Sequence, residues 1–135
     1  MSVVHDLQLA STLMLCGLIW TVQLVHYPAF RFVSRERFEG FHRFHSLRIT
    51  MVAAVLMPVE AVTAAIIAWM LPGTLAFIGL GLVAVIWAST ALLQVPAHAK
   101  LAKEFDEGAH AKLVHTNWIR TAAWSARAAL LTALG

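Results

Sequence analysis

The chain has 135 residues, of which 60% are hydrophobic and 13% charged, against roughly 25% charged in an average soluble domain. This composition argues against a water-exposed globular module. It leaves room for one domain of about four bilayer crossings at roughly 20 residues each. The formal charge of +3 makes no nucleic-acid face, because the basic residues border apolar segments, so membrane lipids are the expected partner and nucleic acid is not. The single cysteine, Cys16, allows neither an intrachain disulfide nor a Cys-based metal motif.

The first apolar segment is expected over 7–25, with Trp20 and Tyr27 as interfacial aromatics near its end and Pro28 closing it. Its flank carries Asp6 and no Lys or Arg, and no small-residue cleavage site follows, so it reads as a retained segment and not a signal peptide. The polar stretch 31–48 alternates Arg and His with Phe32, Phe38, Phe41 and Phe44, just after Phe30. That pattern is expected to lie amphipathically in the headgroup zone, as a short interfacial helix merging into the second segment. The second segment, 49–71, is apolar except for Glu60, and Pro72 and Gly73 form an uncharged turn. The third segment, 75–95, has Gly79 and Gly81 for close helix contact, and Pro96 ends or kinks it. A second polar loop, 97–116, is broken by Gly108 into two helical pieces. The fourth segment, 117–134, carries Arg120 and Arg127. The expected fold class is therefore all-α: an integral membrane four-helix bundle, a single domain with no internal repeat.

Nine of the ten Lys and Arg lie in the two polar loops or at their helix junctions, and the tenth is Arg127. The positive-inside rule places both loops in the cytoplasm and both termini outside, which implies the bacterial inner membrane with periplasmic termini. Six of the seven histidines share the basic side; only His5 does not.

Counting about 1.5 Å per residue from the basic boundary sorts the polar groups into two layers. Gln23, His26, His45, Gln94, His98, Asn117 and Arg120 fall near that boundary. Glu60 and Arg127 fall deeper, at matching depths of about 15–16 Å. A lone charge in hydrocarbon costs at least about 2.5–3.5 kcal/mol, so these two are expected to pair across the bundle. Asn117, Arg120, Trp124, Arg127 and Leu131 recur at helical spacing and form one inward face of the fourth segment. Similar stripes run through His42, His45, Ile49, Leu56 and Glu60 and through Cys16, Trp20, Gln23 and Tyr27.

The chemistry expected of this layer is metal or haem binding. His26, His45 and His98 are the candidate ligands, since neutral imidazole suits zinc, copper, iron or haem iron. A carboxylate-bridged di-iron centre is not expected, because Glu60 alone cannot supply its carboxylates. Histidines beside Arg and Phe at a membrane boundary also serve as interfacial anchors. Glu60, Arg120 and Arg127 are the candidate catalytic groups, with Arg120 free to hold an anionic substituent such as a haem propionate. Gln23, Tyr27, Asn117 and Trp124 are the candidate ligand-binding residues.

Gln23, His26, Tyr27, Pro28, His45, Pro58, Glu60, Val95, Pro96, His98, Asn117, Trp118, Arg120, Trp124 and Arg127 together resemble a pattern in small bacterial four-helix membrane proteins. The second half, with Val-Pro before a polar loop and an Arg-bearing, Trp-rich last helix, resembles the anthrone oxygenase-like membrane family, although Ala97 and His98 stand where that family has Asn. The resemblance implies a four-helix membrane fold and oxidation of a lipophilic aromatic substrate, and it fixes no catalytic residue. The function expected is a metal- or haem-dependent membrane oxidoreductase acting on a lipophilic small molecule, assembled as a homo-oligomer. The alternatives are a small transporter, channel or cofactor carrier, or a structural subunit of a membrane complex.

Overall fold

The computed structural model describes residues 1–134, and among them there is no strand. Four long helices form an antiparallel up-down bundle: α1 (Ser2–Phe32), α2 (Arg35–Met70), α3 (Thr74–Leu101) and α4 (Glu107–Leu134). Each packs on its neighbours in a ring, with α1 against α2 and α4, and α3 against α2 and α4. α2 and α4 therefore face each other along a diagonal. α1, α2 and α3 are long and apolar enough to cross a membrane. α4 falls short of that composition because its first half holds His110, Lys112, His115 and Arg120, and Arg127 follows.

The helices run well past the expected segments. The polar stretch 31–48, expected as a short helix merging into the second segment, is helical from Arg35 onward and continuous with it, and the chain reverses between Phe32 and Arg35. The stretch 97–116, expected as two helical pieces split at Gly108, breaks earlier, between Leu101 and Glu107, and Gly108 lies in the first turn of α4. There Asp106 Oδ1 accepts the Ala109 N–H at 2.6 Å and caps the start of α4. Nor do the five phenylalanines share one environment: Phe30 and Phe38 are buried, whereas Phe32 and Phe44 are exposed.

Neither Pro28 nor Pro96 ends its helix. Each follows a π-helical turn, Val22–His26 in α1 and Thr90–Gln94 in α3. A proline ring clashes with the carbonyl four residues before it, which here belongs to Leu24 and to Leu92. Both carbonyls lie inside the widened turns, so the helix continues through the proline. Each turn also directs its glutamine, Gln23 or Gln94, to the interior.

The matching turns expose an internal repeat that the expectation of a repeat-free chain missed. Pro28 and Pro96, Ala29 and Ala97, Glu36 and Glu104, Glu39 and Glu107, Gly40 and Gly108, and His42 and His110 are identical pairs at one constant separation. The two π turns stand at that same separation. The α1–α2 and α3–α4 hairpins are thus two copies of one unit, and their contacts agree: His42 packs on His98, and its counterpart His110 stacks on Phe30, the counterpart of His98.

Candidate functional site

At the basic end the two π turns bring their helices' polar residues against α4. Gln23 Oε1 accepts from Asn117 Nδ2 at 2.9 Å and Thr121 Oγ1 at 3.2 Å, while Gln23 Nε2 donates to the Val114 carbonyl at 3.0 Å. Asn117 Oδ1 accepts from Arg120 Nε at 2.9 Å and Nη2 at 2.6 Å. The buried amides of Gln23 and Asn117 are thereby spent on each other and on Arg120. They orient the guanidinium. Gln94 is held similarly, between Ser89 and Thr116.

Arg120 continues outward. Its Nη2 donates to the Tyr27 hydroxyl at 3.2 Å and its Nη1 to Thr90 Oγ1 at 3.3 Å. The Tyr27 hydroxyl lies 3.0 Å from His98 Nε2, and His98 Nδ1 lies 2.9 Å from His42 Nε2. Donor and acceptor counting gives this chain a direction. One assignment satisfies every group: the Tyr27 oxygen accepts from Arg120 and gives its single proton to His98 Nε2, and neutral His98 then carries its own proton on Nδ1 and donates to His42 Nε2. The result is a wire, Arg120 to Tyr27 to His98 to His42, satisfied with both imidazoles neutral. His110 braces it from α4, its Nε2 lying 2.6 Å from the Tyr27 carbonyl oxygen.

Phe30, fully buried, sits at the centre of this layer, with the rings of Tyr27, Phe38, Phe41, His42, His45, His98 and His110 within 5.0–6.5 Å. Phe105 closes the end of the bundle, packing edge-on to Phe38 at 5.0 Å under the Arg35 guanidinium at 3.7 Å. His45 is buried and its Nε2 has no hydrogen-bond partner.

Of the three histidines expected as metal ligands, His26 and His45 have ring centroids 5.4 Å apart and His45 and His98 6.4 Å apart. Both His98 nitrogens are engaged within the protein, so a metal taking either one would displace one bond of the wire. Among the described residues no group of three His, Cys, Asp or Glu side chains is arranged to hold a metal ion. Phe41 and His98 stack on His45 at 6.4 Å each, and Phe30 lies edge-on at 5.0 Å.

The deeper layer is the expected ion pair. Arg127 Nε donates to Glu60 Oε1 at 2.8 Å, both side chains are fully buried, and the bond spans the α2–α4 diagonal. Thr12 Oγ1 donates to Glu60 Oε1 at 2.8 Å and Trp124 Nε1 to Glu60 Oε2 at 2.9 Å. Arg127 Nη1 donates to the Gly79 carbonyl. Trp124, expected to bind a ligand, is thus a Glu60 partner, and the carbonyl of Gly79 binds the guanidinium. The stripe expected on α1 holds at Gln23 and Tyr27, which are buried, but not at Trp20, which is 40% exposed; before them the inward face is Gln8, Ser11, Thr12, Leu15, Ile19 and Val22.

A cavity of about 700 Å³ opens at the opposite end, beside the Gly73 turn, and reaches Gly79 and Arg127. No family model, no curated protein and no solved structure matches this chain.

Proposed function

We propose that this chain is an integral membrane four-helix protein of the bacterial inner membrane, with termini outside, that performs acid–base chemistry on a lipophilic small molecule at its cytoplasmic end. The observation that carries the reading is the Arg120–Tyr27–His98–His42 wire next to His45, whose buried Nε2 has no partner in the protein. Unpartnered buried polar atoms are rare in folded proteins. His45 is the group available to take a proton from a substrate or return one, and proton transfer of this kind is the usual work of imidazole in enzymes. Arg120, held by Asn117, polarises the Tyr27 hydroxyl toward His98 and keeps the wire in one direction.

The three apolar helices support the membrane placement, and the clustering of Lys and Arg at one end supports the orientation. No step is routed through a metal or haem, and among the described residues no group of three His, Cys, Asp or Glu side chains is arranged to hold a metal ion.

Mass-spectrometric comparison of lipid-soluble extracts tests the reading in cells producing the wild type and His45→Gln at equal levels. The wild type is expected to consume or produce a lipophilic compound that the variant leaves unchanged. Identical extracts from well-folded proteins of both kinds would contradict it.

A further inference from the structure

At the basic end a second cavity, of about 370 Å³, lies on the seam between α1 and α4, where the Pro28 to Phe32 end of α1 meets the first turns of α4. We propose that this cavity is a binding site for an anionic phosphate group, as carried by a lipid headgroup, with Arg31 and His115 as its donors. The site is independent of the acid–base reading.

The fold builds the two walls from different elements. After Pro28 the end of α1 tightens into the 3₁₀ turn Phe30–Phe32, which buries Phe30 and leaves Arg31 and Phe32 exposed. On the α4 wall, His110 stacks on Phe30 at 6.1 Å and its Nε2 lies 2.6 Å from the Tyr27 carbonyl oxygen. A carbonyl only accepts, so Nε2 carries the proton of the neutral ring and is spent there. The donors left to a ligand are the guanidinium of Arg31, which makes no ion pair among the described residues, and the imidazole of the exposed His115.

Charge, geometry and size lead to the same group. Arg31, His110 and His115 are the basic residues of the lining, and Glu36, Glu39, Glu104, Asp106 and Glu107, the acids of this end, all lie outside it. A cation entering the cavity therefore meets Arg31 without a counter-charge. A carboxylate accepts best near its own plane, whereas the tetrahedral oxygens of a phosphate can receive the guanidinium fork from one wall and an imidazole from the other. A volume of about 370 Å³ stands at the lower end of the 300–1,000 Å³ of small-molecule sites, room for a headgroup and not for acyl chains. The chains of a lipid have an apolar path beside Pro28, Val114 and Phe32, the last 83% exposed. Basic pockets between transmembrane helices recur as sites for anionic headgroups. A zwitterionic head offers the same phosphate next to an ammonium, which Arg31 repels.

The test uses the full chain in dodecyl maltoside micelles, titrated with dihexanoylphosphatidylglycerol and, separately, with dihexanoylphosphatidylcholine. The ¹⁵N resonances of Arg31 Nε, the His115 ring and the Val114 backbone are expected to shift saturably with phosphatidylglycerol, at a half-saturation roughly tenfold below that of phosphatidylcholine. Arg31→Gln combined with His115→Gln is expected to raise the phosphatidylglycerol half-saturation, read at Val114, by roughly tenfold. Arg43→Gln combined with Lys100→Gln removes at least as much charge from the same end, at the exposed positions that the repeat relates to Ala111 and Phe32, and is expected to leave the half-saturation unchanged. Ala111→Phe, at an exposed position of the lining, fills the cavity without replacing a donor and is expected to abolish the shifts. Inorganic phosphate separates the two sources. Saturation by phosphate at the concentrations that suffice for the lipid marks a soluble phosphate compound as the occupant, its failure marks a lipid headgroup, and both results uphold the site. Equal half-saturations for the two lipids, a loss in the Arg43 and Lys100 variant as large as in the Arg31 and His115 variant, or shifts that survive in the folded Ala111→Phe protein would overturn the proposal.

Discussion

At the scale of single residues, two side chains decide whether the bundle interior is tolerable. Glu60 and Arg127 are fully buried and bonded to each other, and removing one charge strands the other. Glu60→Gln is expected to destabilise the protein by about 3–5 kcal/mol, read from detergent unfolding followed by Trp fluorescence. Glu60→Met combined with Arg127→Met should recover most of that loss, because a well-packed apolar pair can replace a buried ion pair. A double-mutant cycle without coupling would show that the pair is incidental. Thr12→Val should cost only about 1 kcal/mol, because Glu60 Oε1 keeps its bond from Arg127. The ion pair was legible in the sequence: an isolated charge in an apolar run is conspicuous, and counting residues from the basic boundary gave both partners one depth. Thr12 and Gln8 were not legible, because neutral polar residues in an apolar helix carry little penalty and so little signal. Their spacing with Leu15 and Ile19, an inward stripe at three- and four-residue intervals, was the clue available.

At the scale of the elements, the π turns set which face of α1 and α3 reaches the site. A π turn is one residue wider than the α-helix it interrupts, and such turns cluster at functional positions. Deleting Leu24, an exposed member of the first turn, should return that turn to α-helical winding while leaving Thr12 and Leu15 in phase with the rest of the helix. Deleting Met14 from the regular part of α1 should rotate Gln8 and Thr12 by about 100° relative to Glu60. The Leu24 deletion is expected to yield folded protein and the Met14 deletion very little, as monitored by expression and melting temperature. Equal tolerance of the two deletions would mean that the π turns hold no register. Periodicity arguments assume 3.6 residues per turn, so the sequence reading ended α1 at Pro28 and ended or kinked α3 at Pro96. The same habit hid the repeat: the polar positions that persist between the halves are Glu36/Glu104, Glu39/Glu107 and His42/His110 alone, while most apolar positions interchange within a bundle.

At the scale of the whole molecule, one chain encloses its own polar interior. Glu60, Asn117 and Arg127 are fully buried without a second copy, so shielding gives no reason for the oligomer expected from the sequence. The four-helix class and the concentration of histidines at one end followed from composition and charge placement. The wire did not, because the contact of Tyr27 in α1 with His98 in α3 depends on how the two repeats pack. Reporter fusions in the 72–74 turn should report the outside of the cell, and fusions between Leu101 and Glu107 the cytoplasm; the reverse result would refute the orientation.

The central claim is that the wire at the basic end of the bundle is directed and neutral, and ¹⁵N-histidine NMR of the protein in nanodiscs near neutral pH reads it atom by atom. His98 is expected with its proton on Nδ1 and a bare, hydrogen-bonded Nε2, a preference that Tyr27→Phe should erase while the fold persists. A His98 protonated on Nε2, or a tautomer indifferent to Tyr27→Phe, would contradict the account.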